Sequence, residues 1–157
     1  MKRRLYALFL GLSLLMATLA TAQQAHGTLG QSADSVTLDR KALSAVEGAK
    51  SFRNGYAIQE IHSDSIIIRE YVSSAGIVFG IAWNGLVRPD LTQLLGSYAA
   101  EYQEAKQQIP RRPGHRDYQV VNTDRAVVET WGHMRNLKGR AYAPDLIPPG
   151  VSIDEIQ

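Results

Sequence analysis

The sequence predicts an α+β protein, an antiparallel sheet of about five strands with helices packed on one face, in the order α-β-β-β-α-β-β(-β). Two observations predict this class. The centre of the chain is rich in β-branched and aromatic residues and is divided by two short turns, and an amphipathic helix pattern follows it directly. Strands grouped on either side of one helix favour an antiparallel sheet over a parallel one.

The first 22 residues are predicted to be a cleaved signal peptide that lies outside this fold. Lys2–Arg4 give a cationic start, and the apolar run Leu5–Leu19 is shorter than the roughly 20 residues of a membrane-spanning helix. Ala20–Ala22 supply a small-x-small cleavage pattern, so the mature chain is expected to begin near Gln23. An uncleaved anchor is the competing interpretation. A cleaved signal predicts a periplasmic or secreted protein with no transmembrane segment.

The charge of the chain changes when this leader is removed. The full sequence has 17 Lys+Arg against 15 Asp+Glu, a net charge of +2. Three of those cations lie in the leader, which contains no acid, so the mature chain carries 14 cations against 15 acids and a net charge of −1. This balance gives no support to nucleic-acid binding. The chain contains no cysteine, which excludes disulfides and a lipid-modified cysteine.

The mature chain is predicted to divide into three parts. Residues 23–36 are expected to be a flexible lead-in, 37–143 a single α+β domain, and 144–157 a proline-rich C-terminal tail. The domain is expected to open with a short helix over Thr37–Glu47, since apolar residues recur there at helical spacing and Gly48 follows.

Three strands are predicted in the centre, over Tyr56–His62, Ile66–Ser73 and Ile77–Trp83. In the third strand, alternation places the bulky residues on one face, which is expected to pack against a helix; these are Ile77, Phe79, Ile81 and Trp83. Gly80 indicates either a bulge or a close backbone approach, and both remain open.

The covering helix is predicted over Asp90–Gln108. Asp90 is a good N-cap, leucine, tyrosine and alanine residues follow at steps of three and four, and Pro110 ends the pattern. A second hairpin is predicted from Tyr118–Asn122 and Arg125–Met134, with a further short strand near Arg140–Tyr142.

Ordered sequence blocks carry a resemblance to a known family. They are Arg69-Glu70-Tyr71-Val72, Gly76-Ile77-Val78-Phe79, Ala82-Trp83-Asn84-Gly85, Pro89-Asp90-Leu91, Gly132-His133-Met134 and Gly139-Arg140-Ala141-Tyr142. From about Leu29 onward the chain resembles an uncharacterised family of exported Gram-negative bacterial proteins, the domain of unknown function numbered 2844. Ser65 and Leu86 depart from the family pattern, which has glycine and proline there. The resemblance implies an exported single domain and assigns no catalytic residue.

Catalytic and metal-binding patterns are weak. The four histidines show neither His-x-His nor HExxH spacing, there is no Gly-x-Ser-x-Gly motif, and no metal site or cofactor is expected. Glu60 and Glu70 are a candidate acid pair on neighbouring strands, with a cross-strand charge cluster around Arg69 as the alternative.

A binding role is therefore the leading hypothesis. The basic loop 110–116 is a candidate contact for acidic envelope lipid or polysaccharide, with a solvated connector as its alternative. Tryptophan and arginine contribute strongly to interfaces, although Trp83 is also a candidate core residue. The nominated residues are Trp83, Arg88, Arg111, Arg112, Arg116, Trp131 and His133.

The sequence predicts an exported, non-enzymatic binding or accessory module of the bacterial cell envelope, with another envelope protein or a polysaccharide as partner. The alternatives are a periplasmic hydrolase or isomerase with an unrecognised site, supported by a cleft of convergent polar groups, and a small-ligand carrier with a dry pocket behind Phe79 and Ile81. The oligomeric state is left open.

Overall fold

The computed structural model describes residues 28–35, 45–110 and 118–157. Seven antiparallel strands form one sheet in the order β1-β2-β3-β4-β7-β6-β5. Two helical segments, α1 and α2, connect β4 to β5. The strands are β1 (Val46–Arg53), β2 (Tyr56–His62), β3 (Ile66–Ser73), β4 (Val78–Gly85), β5 (Tyr118–Asn122), β6 (Val127–His133) and β7 (Asn136–Tyr142). The helices are α1 (Leu91–Leu95) and α2 (Ala99–Gln108), joined by a 3-10 turn at Gly96–Tyr98.

The α+β class and the antiparallel sheet are confirmed, but the predicted count of five strands is wrong. Strand β1 occupies Val46 and Glu47, where the sequence predicts the end of a helix, and the remainder of that predicted helix, 37–44, lies outside the described residues. The sequence of β1 lacks the alternation of apolar and polar residues that indicates a half-buried strand, because β1 lies at the edge of the sheet. Its large apolar residues Val46 and Phe52 are 72% and 73% exposed, and it pairs with β2 alone.

One face of the sheet, here called the helical face, is covered by α1 and α2. Asp90 caps α1 by accepting a hydrogen bond from the Thr92 backbone N–H at 2.9 Å. Gly96 has φ 50° and ψ −114°, and this backbone turn divides the predicted continuous helix in two. The buried contacts on this face include Ile68, Val72, Val78, Ile81, Trp83, Leu94, Leu95, Ala99, Tyr102, Val121 and Val128.

Strand β4 departs from the simple alternation that the sequence predicts. The register shifts between the pairs Tyr71–Gly80 and Val72–Val78, so Phe79 is an extra residue in β4. Phe79 consequently packs on the face opposite to Ile81 and Trp83, and the prediction that it shares their face is wrong. Both interpretations of Gly80 hold, because a Cβ there would also lie 2.9 Å from Ile156 Cδ1.

The opposite face, here called the groove face, contains an aromatic cluster covered by the end of the chain. The rings of Tyr56 and Tyr71 pack around Phe79 at centroid distances of 5.8 and 6.2 Å. Ile156, fully buried, lies against this cluster with Tyr142. The predicted C-terminal tail therefore contains an ordered segment, Ser152–Gln157, here called the C-terminal segment, which packs onto the sheet and includes a 3-10 turn at Ile153–Glu155.

The described part of the predicted flexible lead-in is also packed. Leu29 is fully buried; its backbone N–H donates to the Leu94 carbonyl at 3.2 Å, and the N–H of Gly30 donates to the Val78 carbonyl at 2.8 Å. This segment therefore joins β4 to α1 on the helical face.

Candidate functional site

Strand register divides the groove face into three transverse rows. Because opposed residues on neighbouring strands point to the same face, the pairing partners can be followed from strand to strand. The covered row contains Ile58, Tyr71, Gly80, Tyr142 and Val127. The ion-pair row contains Glu60, Arg69, Ala82, Arg140, Glu129 and Val120. The open row contains Val46, His62, Ile67, Asn84, Lys138, Trp131 and Tyr118.

The covered row is closed by polar contacts as well as by Ile156. The Tyr56 hydroxyl donates to Glu155 Oε2 at 2.8 Å, and the Ser152 backbone N–H donates to Glu155 Oε1 at 2.8 Å. The hydroxyl of Tyr71 donates to the Gln157 backbone oxygen at 3.0 Å and accepts from the Gln157 N–H at 2.9 Å. Burial, with the hydrogen bond to Glu155, raises the pKa of Tyr56 to about 12.

The ion-pair row carries two arginine–glutamate pairs on either side of buried Ala82. Arg69 Nε lies 2.7 Å from Glu60 Oε1, and Arg140 Nη2 lies 3.0 Å from Glu129 Oε2. The hydrogen bond from His62, together with the contact to Arg69, lowers the pKa of Glu60. Both guanidinium groups also donate hydrogen bonds to the C-terminal segment. The ion-pair row therefore helps to hold this segment over the covered row.

Four residues of the open row, Asn84, Lys138, Trp131 and Tyr118, line a groove of about 830 Å³ on the groove face. None of the open-row residues is buried, in contrast to the covered row. Tyr118, 60% exposed, and Trp131, half-buried, are cross-strand neighbours, and Trp131 also pairs with Lys138, which pairs with Asn84. Arg69, Arg140 and Glu129 line one side of the groove, and the C-terminal segment contributes Asp154, Ile156 and Gln157.

The sequence profile of a family described as "Protein of unknown function (DUF2844)" matches residues 25–156, which span the whole sheet and the groove. The chain belongs to the DUF2844 family. No curated protein matches the sequence of this DUF2844 protein. Among solved structures, it is similar to a cysteine-rich secretory protein from Staphylococcus aureus subsp. aureus Mu50, with 8% identity and a TM-score of 0.48. That match covers 76% of this chain and 46% of the other, so this chain spans less than half the length of that structure.

The structure of this DUF2844 protein separates the binding residues that the sequence nominates. Trp131 lies in the groove. Trp83 also borders the groove, but it is only 3% exposed and packs in the core of the helical face, where its indole lies over Gly139. Arg88, in the turn before α1, and His133, at the end of β6, are both exposed and lie outside the groove lining. Arg111, Arg112 and Arg116 of the predicted basic loop fall outside the described residues.

The candidate acid pair of this family member does not form. Glu60 pairs in register with Arg69, whereas Glu70 pairs with Gln59, so the two glutamates lie on opposite faces of the sheet. Glu70 is fully buried on the helical face. The alternative interpretation, a cross-strand charge cluster of Glu60 with Arg69, is the one that the structure contains.

Three further observations on this DUF2844 protein concern metal-binding groups, membrane-spanning helices and the surroundings of Phe79 and Ile81. Within residues 28–35, 45–110 and 118–157, no group of three or more His, Asp or Glu side chains is placed to hold a metal ion. Over the same ranges, no helix has the length and apolar character needed to cross a membrane. Phe79 and Ile81, behind which the small-ligand-carrier alternative expects a dry pocket, lie on opposite faces of the sheet and are both fully buried.

Sequence reasoning missed Tyr118, Asn84, Lys138, Arg69 and Arg140 as groove residues of this DUF2844 protein. The signal that these residues share is the strand register. It places side by side five strands that lie at different points of the sequence between positions 69 and 140. A local pattern could place each of them on a strand, but only the β4–β7 pairing puts Asn84 beside Lys138.

Proposed function

We propose that this protein is an exported, non-enzymatic binding module of the bacterial cell envelope that holds a glycan chain in the groove. The observation that carries the proposal is the open row, in which Tyr118, Trp131, Lys138 and Asn84 stand side by side on four adjacent strands. Export follows from the predicted leader, residues 1–22, and the single mature domain from Gln23 onward is part of the same proposal.

The groove has the dimensions for an extended chain. Its lining runs from β3 to β5 across five strands, which is roughly 19 Å at about 4.8 Å between strands. A ligand that lies along the open row contacts one side chain from each of four of these strands, namely Asn84, Lys138, Trp131 and Tyr118. An elongated polymer therefore fits this surface better than a compact small molecule does.

The side chains of the row suit the chemistry of sugars. The electron-rich face of an aromatic ring attracts the polarised C–H groups of a sugar, and Trp131 and Tyr118 provide two such rings on adjacent strands. The Asn84 amide both donates and accepts hydrogen bonds, and Lys138 donates three, which matches the hydroxyl groups of a glycan. These contacts explain binding without a reacting group.

An enzymatic role is less well supported by the same groove. Its two carboxylates, Glu129 and Asp154, both face Arg140, at 3.0 and 3.9 Å. Both carboxylates are thus used in contacts to one protein guanidinium, whereas glycoside hydrolysis needs two carboxyl groups that contact the substrate.

Calorimetric titration of the mature protein with chitohexaose, cellohexaose and hyaluronan hexasaccharide tests the proposal. We expect binding of at least one of these glycans, reduced at least tenfold in Trp131→Ala, because stacking on the indole is lost. Phe52→Ala, which removes an exposed aromatic ring from β1 outside the groove, is the matched control and retains full affinity. Absence of binding to all three glycans, or equal loss in both variants, would overturn the proposal.

A further inference from the structure

We infer that the groove selects an acidic glycan, in which a sugar carboxylate is bound by Lys138; this rests on the proposed glycan-binding function. The inference depends on how the cations of the groove are already used. Three cationic side chains line it, those of Arg69, Lys138 and Arg140. These three cations differ in the hydrogen bonds and ion pairs that they make within the protein.

The two arginines are engaged with protein groups. Arg69 pairs with Glu60 at 2.7 Å and donates to the Gln157 backbone oxygen at 3.3 Å. Arg140 pairs with Glu129 at 3.0 Å and donates to the Ile153 carbonyl at 2.9 Å. Their charges are therefore largely balanced within the ion-pair row, and their geometry is fixed by several contacts each.

Lys138 differs from both arginines. Within the described parts of the chain it makes no hydrogen bond or ion pair, and its side chain is half-buried in the groove. It lies in the open row between Trp131 and Asn84, its register partners on β6 and β4. A lysine ammonium in this position has its three donors available to a ligand.

The position of Lys138 also defines the kind of acidic glycan. A sugar that stacks on Trp131 places its substituents over the neighbouring strand, about 4.8 Å away across the sheet, on which Lys138 is the register partner of Trp131. The carboxylates Glu129 and Asp154 nearby disfavour a ligand with closely spaced negative charges. A glycan that alternates acidic and neutral sugars fits both conditions.

Hyaluronan hexasaccharide and its methyl ester provide the test, since esterification removes the charge of the alternating uronic acids and adds only one methyl group to each. We expect the acidic form to bind about tenfold more tightly than the ester, because one charge-assisted hydrogen bond is gained. Lys138→Gln is expected to reduce binding of the acid to that of the ester, and Lys138→Arg to retain most of the difference. The preference is also expected to fall as salt is raised.

Lys106→Gln is the matched control, since it removes the same charge from α2, where Lys106 lies over the Tyr102 ring on the helical side. Thermal unfolding of each variant verifies that it is folded. Equal affinity for acid and ester, or a preference that survives in Lys138→Gln, would overturn the acidic selectivity while leaving glycan binding intact. Failure of the neutral hexasaccharides, the acid and the ester alike to bind would instead overturn the proposed function.

Discussion

The two faces of the sheet are covered in different ways. On the helical face, α1 and α2 bring Leu94 and Leu95 into the core, and both are at most 1% exposed. On the groove face, the six-residue C-terminal segment covers one row with Ile156 and a set of hydrogen bonds. The open row, on the other side of the ion-pair row, has no buried member. One face therefore supplies stability through apolar burial, whereas the other leaves polar and aromatic side chains available to a ligand.

This contrast predicts that truncation on the helical face has the largest effect. Leu95→Ala is expected to lower the free energy of unfolding by about 3–5 kcal/mol, because the side chain is fully buried and α1 cannot collapse into the cavity without losing its other contacts. Urea unfolding of the wild type and of Leu95→Ala measures this change in the free energy of unfolding. A loss below about 1 kcal/mol would contradict the view that this face holds the fold together.

Truncation under the C-terminal segment is expected to have a smaller effect. Ile156→Ala is predicted to cost about 2 kcal/mol, at the lower end for a buried isoleucine, because a short segment can move to close the gap. The same urea titration gives the value. If Ile156→Ala destabilises the protein as much as Leu95→Ala, the two faces contribute alike and the comparison fails.

The polar closure of the covered row is expected to weaken in acid. The Ser152 backbone N–H, and then the Tyr56 hydroxyl, lower the pKa of Glu155 below its ordinary value of 4.5. A lowered pKa in the folded state contributes stability above pH 4.5, and this contribution is lost as the pH falls through the folded-state value. The difference in thermal midpoint between the wild type and Glu155→Gln should therefore shrink between pH 6 and pH 3.

Glu104→Gln, an exposed substitution on α2, is the control for a simple change of charge. Glu60 shares the same pH range, because its pKa is also lowered, by His62 and Arg69. For this reason the test compares variants at each pH and does not read the wild-type profile alone. A Glu155→Gln difference that is constant across the range would show that the carboxylate does not hold the segment.

The sequence predicts the helical face better than the groove face, for physical reasons. Amphipathic spacing in Asp90–Gln108 and the β-branched and aromatic composition of β2 and β3 are local signals, and the structure confirms both strands at their predicted bounds. The sequence does not predict strand β1, because it is an edge strand whose large apolar residues Val46 and Phe52 are exposed and show no alternation. The extra residue in β4 also places the Phe79 side chain on the face opposite to Ile81, and no local sequence pattern indicates this change.

The groove depends on contacts between residues that are far apart in the sequence, and local sequence patterns do not indicate such contacts. Its open row requires β4 to pair with β7, about fifty residues later, and β5 to lie at the far edge. The closure of the covered row requires Gln157 to bond Tyr71 across 86 residues. The residue type alone nominates Trp131, whereas only the strand pairing places Lys138 beside Trp131 and Asn84 beside Lys138.

The most direct measurement uses the two tryptophans of the chain, because Trp83 borders the groove but is buried in the core of the helical face, whereas Trp131 is half-buried in the open row. Trp83→Phe leaves Trp131 as the only indole, and Trp131→Phe leaves Trp83. With hyaluronan hexasaccharide added, Trp131 emission is predicted to shift to shorter wavelength and to be less quenched by acrylamide, while Trp83 emission stays unchanged. If Trp131 emission and quenching do not change, or if the two tryptophans respond equally, the open row is not the ligand-binding surface.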